Sequence, residues 1–99
     1  MNMQSIMAQA QKMQRDLQKK KEELNQELFP GKSDWVEVVF NGKKELVSVK
    51  ILFEGDITSD DKEMLEDMFS LAVKDAMNQI EKSFQEKMGP YANMLDGIM

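Results

Sequence analysis

Residues 57–88 read ITSDDKEMLEDMFSLAVKDAMNQIEKSFQEKM, and the rest of the chain is arranged around them. Met64, Leu65, Met68, Phe69, Leu71, Ala72, Ala76, Ile80, Phe84 and Met88 recur at helical spacing. The run 72-76-80-84-88 keeps to one face, which predicts an amphipathic helix over 59–88. Thr58 or Ser59 suits the N-cap, where a short hydroxyl accepts from a free first-turn amide. Thr58-x-x-Asp61 has the form of a capping box with Asp in place of Glu. Asp60, Asp61 and Glu63 fall at the positive end of the helix dipole. Gly89-Pro90 ends the helix.

At roughly 1.5 Å per residue, such a helix is about 45 Å long. A compact domain of about 100 residues has a radius of gyration near 13 Å. The apolar residues persist to the far end, so that end is expected to pack on a second copy. Ile80, Phe84 and Met88 are the candidate dimer contacts there.

Upstream, residues 3–28 are expected to form another long helix. Met3, Ala10, Leu17 and Leu24 repeat every seven, with Ile6 and Met13 between them, giving a coiled-coil-like seam. The seam weakens where Lys20 and Glu27 take the next intermediate positions. Lys12, Arg15 and Lys19 share a face at spacings of three and four, with Lys20 and Lys21 beside them. The ordinary reading is a solvated face partly paired with Asp16, Glu22 and Glu23. The sharper one is a phosphate-contacting edge.

Between the helices, Trp35–Phe40 and Leu46–Phe53 alternate as strands around Asn41-Gly42, a strong hairpin signal. Val36, Val38 and Phe40, with Val47, Val49, Ile51 and Phe53, are expected to pack on the helices. The other face is mixed, and Trp35, Val39, Leu46 and Leu52 on it are candidate dimer contacts. Trp35 reads equally well as an ordinary sheet-edge aromatic. A two-residue turn would set Val39 opposite Lys44, and a four-residue loop would set it opposite Leu46. Two strands alone are marginal. A third near Glu27–Phe29, or pairing across a dimer, would complete the sheet, although Pro30 weighs against the former. Phe29 is expected to anchor the connection. The expected fold is α+β, in α/β/α order, as one domain over residues 1–99 forming an intertwined homodimer. The tail 89–99, with Tyr91, Met94, Leu95, Ile98 and Met99, is expected either to dock or to fray.

Composition narrows the function. The chain has 99 residues, the size of one domain, and neither Cys nor His. That removes disulfides, thiolate nucleophiles, the common zinc sites and the usual general base. Glu54, Asp56, Asp60 and Asp61 lack the spacing of a calcium loop, and capping explains the last two. No metal or cofactor is expected. No phosphate-cradling glycine loop or nucleophile elbow appears, so neither an enzyme nor a small-molecule substrate is expected. No apolar run has the length of a membrane span, and the start lacks the apolar core of a signal peptide. A cytoplasmic protein is expected. The ten methionines suit adaptable core filling, with a Met-rich binding groove as the alternative. The net charge is −5, unevenly spread. Residues 1–53 carry nine Lys/Arg and seven Asp/Glu, whereas residues 54–99 carry four Lys and eleven Asp/Glu. Beside a phosphate-contacting edge, the acidic half and the mixed sheet face admit a second reading, a dimeric protein-interaction scaffold that touches nucleic acid little or not at all.

Three segments, MAQAQKMQRDLQKKKEEL at Met7–Leu24, VEVVFNGKKELVSVKI at Val36–Ile51 and DKEMLEDMFSLAVKDAMNQIEKSFQEKM at Asp61–Met88, resemble the YbaB/EbfC family of bacterial nucleoid-associated proteins. The resemblance implies a tight homodimer whose helices project from a shared core like the arms of tweezers. It implies non-enzymatic binding of double-stranded DNA, weak and salt-sensitive, by a cytoplasmic, nucleoid-associated protein. By position, it implies DNA contacts at Lys12, Arg15, Lys19, Lys20 and Lys21 and, on the second helix, at Lys82 and Lys87. Gln9, Gln11 and Gln14 are weaker candidates. The connection FPGKSDW is shorter than the family's usual Gly-rich one, and Glu81 and Glu86 flank Lys82 and Lys87.

Overall fold

Asn2 opens the first helix, its Oδ1 accepting from the Gln4 N–H at 3.0 Å. The computed structural model describes residues 2–89. Helix α1 spans Met3–Gln26, strand β1 Leu28–Lys32, β2 Val36–Asn41 and β3 Leu46–Ile51. After a 3-10 turn at Ser59–Asp61, α2 runs Lys62–Met88. The strands form one antiparallel sheet in the order β1-β2-β3. The α+β class and the α/β/α order are as expected. The Thr58 N–H donates to Asp61 Oδ2 at 2.9 Å, the return half of the anticipated capping box.

Helix α2 lies across β1 and β2, and the reason is written in small residues. Ala72 and Ala76 are fully buried and meet the sheet at Gly31. A Cβ on Gly31 would collide with the Ala72 carbonyl and lie 2.7 Å from the Ala76 nitrogen. Helix backbone thus rests directly on strand backbone. Around this contact Leu24, Phe29, Val36, Val38, Phe40 and Ile80 form the core, with Trp35, Leu65, Met68, Val73, Met77 and Phe84 packed against it. Phe29 is the anchor expected of it.

The third strand exists, and it runs through Pro30. Proline is tolerated because β1 is an edge strand and Pro30 turns its nitrogen away from β2. Its carbonyl accepts from Gln79 Nε2 at 2.7 Å, and two residues on the Lys32 N–H donates to Asp75 Oδ2 at 3.0 Å. Side chains of α2 therefore occupy the outer edge of β1. Because β1 begins at Leu28, α1 stops at Gln26, short of the expected residue 28.

Four other expectations need correction. First, Ile80 and Met88 are buried within a single protomer, and Phe84 packs on the same core, so no second copy is needed to cover them. Second, the chain that projects is α1. Ahead of Leu17 every described α1 side chain is exposed, and the particle measures 70 × 19 × 17 Å with a radius of gyration of 19.3 Å. Third, β3 is left uncovered, because α2 crosses only the other two strands. Val49 and Ile51 face the helix side, yet stay 47% and 51% exposed, and Val47 is exposed as well. Fourth, Trp35 is expected on the mixed outer face and Phe53 on the helix-facing one, yet Trp35 packs against the core with its ring centroid 4.4 Å from that of Phe53.

The hairpin takes neither anticipated register. The Asn41 N–H donates to the Glu45 carbonyl at 3.1 Å, which closes a three-residue loop with Lys44 at φ 66°. Phe40 then pairs with Leu46 and Val39 with Ser48, with a bulge between. Asn41 holds the loop: its Oδ1 accepts from the Lys43 and Glu45 N–H groups at 2.9 and 3.0 Å. Gly42 is required on steric grounds, since a Cβ there would strike the Leu24 carbonyl at the end of α1. Asn41→Ala is expected to lower stability by about 1 kcal/mol through the loss of these bonds, seen as a fall of about 4–8 °C in thermal denaturation. An unchanged melting temperature would mean that the loop does not depend on this side chain.

Candidate nucleic-acid interface

The projecting part of α1 is two-faced. Counting about 100° per residue, Met3, Ile6, Ala10, Met13 and Leu17 fall on one side. Lys12, Arg15 and Lys19 fall on the opposite side. The seam side is continuous with the side by which α1 joins the body, where Leu24 is buried and Leu17 and Lys21 are half-buried. The cationic side therefore points away from the protein. Lys12, Arg15, Lys19 and Lys20 are all exposed. Among the described residues the ion pairs are Lys32–Glu37 and Lys87–Glu27, so none of the α1 cations takes part in one.

The two α2 candidates differ. Lys82 is exposed on the outer side of the helix. Lys87 is turned inward to Glu27 at 2.6 Å, and Ser83 Oγ donates to the same carboxylate oxygen at 3.3 Å. Glu27 caps the C-terminal end of α1, so this pair ties the C-terminal ends of the two helices together. Helix α2 carries four lysines against six carboxylates, which makes it a poor phosphate-binding surface as a whole. Lys43 and Lys44 are not among the positions to which the family resemblance points. The hairpin loop brings Lys43 to the same depression as Glu22, Asn25 and Gln26 of α1, where Glu22 and Glu45 offset its charge. The signal for this was the NGKK tetrapeptide, but only the packing of Gly42 on Leu24 makes it adjacent to α1. Among the described residues no group of three His, Cys, Asp or Glu is placed to hold a metal ion, and no helix is long and apolar enough to cross a membrane.

The α+β body thus holds the cationic side of α1 clear of its core. The chain belongs to the YbaB/EbfC DNA-binding family, whose model matches residues 1–95. It is similar to a nucleoid-associated protein of Ligilactobacillus salivarius, 42% identical over 100 residues, covering 99% of this chain and 95% of that one. A nucleoid-associated protein of Lactococcus lactis subsp. cremoris is 44% identical over 97 residues, covering 96% and 97% of the two chains. One from Streptococcus uberis is 40% identical over 97 residues, covering 96% and 97%.

Proposed function

We propose that this protein is a non-enzymatic, nucleoid-associated protein that binds double-stranded DNA as a homodimer in the cytoplasm. The observation that carries the reading is the exposed row Lys12, Arg15, Lys19 on the outer side of a helix that the body does not cover. Such a row meets phosphates without reading bases, so binding is expected to be weakly sequence-dependent and steeply salt-dependent. Lys20, Lys21 and Lys82 add to the same field. Lys87, already paired, contributes less.

The two sheet edges support the dimer. The β1 edge is closed by Pro30, Gln79 and Asp75. The β3 edge is open, its six residues all exposed and four of them apolar. An unprotected apolar edge is a template for another strand. Pairing β3 with β3 of a second copy continues the sheet and gives Val49 and Ile51 a cover. Leu65 and Phe69, which line the same depression beside the already buried Val36, are covered with them. Leu46, a dimer candidate from the sequence, lies on that edge, and Leu52 lies just beyond it. Such pairing is antiparallel and two-fold symmetric, so the two α1 arms leave from opposite ends of the joined sheet.

The test is a fluorescence-anisotropy titration onto a generic duplex at low and near-physiological salt, with mass by light scattering in the same buffers. Saturable binding that weakens steeply with salt, by a two-chain species, is the expected result. Val49→Glu is expected to halve the mass and weaken binding, because it places a charge in the joined edge. A stable dimer that ignores DNA even at low salt would overturn the DNA reading and leave the acidic α2 as a surface for a protein partner.

A further inference from the structure

The seam of α1 is an apolar feature that neither the core nor the β3 edge absorbs. Met3, Ile6 and Met13 are 76%, 49% and 43% exposed, and Ala10 lies exposed between them. We infer that the α1 arms of separate dimers pair with each other, antiparallel, along this seam, so that dimers link into chains.

Three observations select this occupant. The spacing 3-6-10-13-17 alternates three and four, the pattern that packs against a like helix. Its next seam position is Lys20, which a parallel pair would stack on its own copy. An antiparallel pair instead sets Ile6 against Leu17, and the small Ala10 against the large Met13, and sends Lys20 to the end of the contact, opposite Met3. Charge agrees with this. Residues 1–11 contain no ionisable side chain, so the stretch carrying Lys12, Arg15 and Lys19 lies alongside a neutral, Gln-rich stretch of its partner. The cationic rows remain on the outer sides of the pair, pointing in opposite directions, where each is free for a separate duplex.

The inference rests on the sheet-edge dimer for one point: arms leaving from opposite ends cannot reach each other within one dimer. Each chain then has two different self-complementary contacts, and such a chain extends by repetition.

The protein has no cysteine, so engineered thiols report the contact without background. Ala10→Cys and Met13→Cys proteins are oxidised separately and as an equimolar mixture, without DNA, and weighed by light scattering before and after. The mixture is expected to form a disulfide that at least doubles the mass of the reduced species, with each protein alone linking far less. Adding Ile6→Glu to both is expected to abolish the link, while circular dichroism confirms that the variants are folded. Absence of the mixed disulfide overturns the inference, as it would if residues 90–99 or another protein covered the seam. Efficient linking of each variant alone also overturns it, because that is the mark of a parallel pair. A disulfide with no change of mass places the contact inside the dimer and overturns it too. The fall in mass of the reduced protein on adding Val49→Glu reports the sheet-edge dimer independently of the α1 contact, and the DNA titration is a separate measurement.

Discussion

Replacing Lys12, Arg15 and Lys19 together by Gln is expected to weaken duplex binding about 100-fold at low salt, with the fold and the dimer intact. The three side chains are exposed, and none takes part in an ion pair among the described residues, so their loss removes no internal contact. Gln keeps the helix propensity and the length of the side chain but not its charge. A homodimer presents the row twice. If each cation neutralises one phosphate, six counterion-releasing contacts disappear, and the slope of log K against log salt falls by about 5. The slope separates this explanation from a folding defect, since a partly unfolded protein would lose active fraction at unchanged slope. Unchanged affinity and slope in a folded triple variant would move the interface off α1 altogether.

Gly31→Val is expected to have the largest effect on stability. Any side chain at this position enters the space held by the Ala72 carbonyl and the Ala76 amide and methyl, the last 2.8 Å from an added Cβ. These are backbone atoms and a short side chain on a helix, so no rotamer change can make room. Helix α2 must lift from β1, which loosens the contacts that bury Ala72, Ala76 and Val38, all fully buried. Lifting also lengthens the bonds from Gln79 to the Pro30 carbonyl and from the Lys32 N–H to Asp75 that close the β1 edge. Overpacking of a core contact costs about 3 kcal/mol at the upper end of the usual range. In a domain of this size that corresponds to a fall of about 12 °C or more in melting temperature. Gly31→Ala should move in the same direction by less. A Gly31→Val protein that melts within a few degrees of the unsubstituted chain would mean that α2 does not rest on strand backbone. Exposure of the β1 edge in the variant should also promote aggregation, since it removes the cover that keeps that edge from pairing.

Much of this was legible in the sequence, because it depended on residues near one another in the chain. The 3.6-residue recurrence from Met64 to Met88 made α2, and Thr58 with Asp61 marked its start. Alternation of Val36, Val38 and Phe40 made β2 and named its buried face. Asn41-Gly42 placed the hairpin, and the spacing of Lys12, Arg15 and Lys19 put three cations on one side of α1. Even the family was legible, through motif order.

Tertiary structure decided what these patterns were for. Apolar periodicity states that a face must be buried, but not by what. Ile80, Phe84 and Met88 looked like surface for a second copy until the end of α1 was found packed beside them. The apolar side of β3 looked like core until α2 was found to cross only two strands. Pro30 argued against a strand as long as its neighbours were unknown, yet the missing N–H costs nothing at an edge where Gln79 serves the carbonyl. Lys87 had the same local sequence context as Lys82, and only the arrival of Glu27 beside it, sixty positions earlier in the chain, turned a free cation into a tie between helices. By itself the sequence determined which segments would be helix or strand and which faces would be apolar or charged, because those properties follow from the local backbone repeat. Which of those faces end up covered, and so which remain free for DNA or for another copy of the chain, depended on close approaches between distant backbones at Gly31 and Gly42, and local spacing does not encode them.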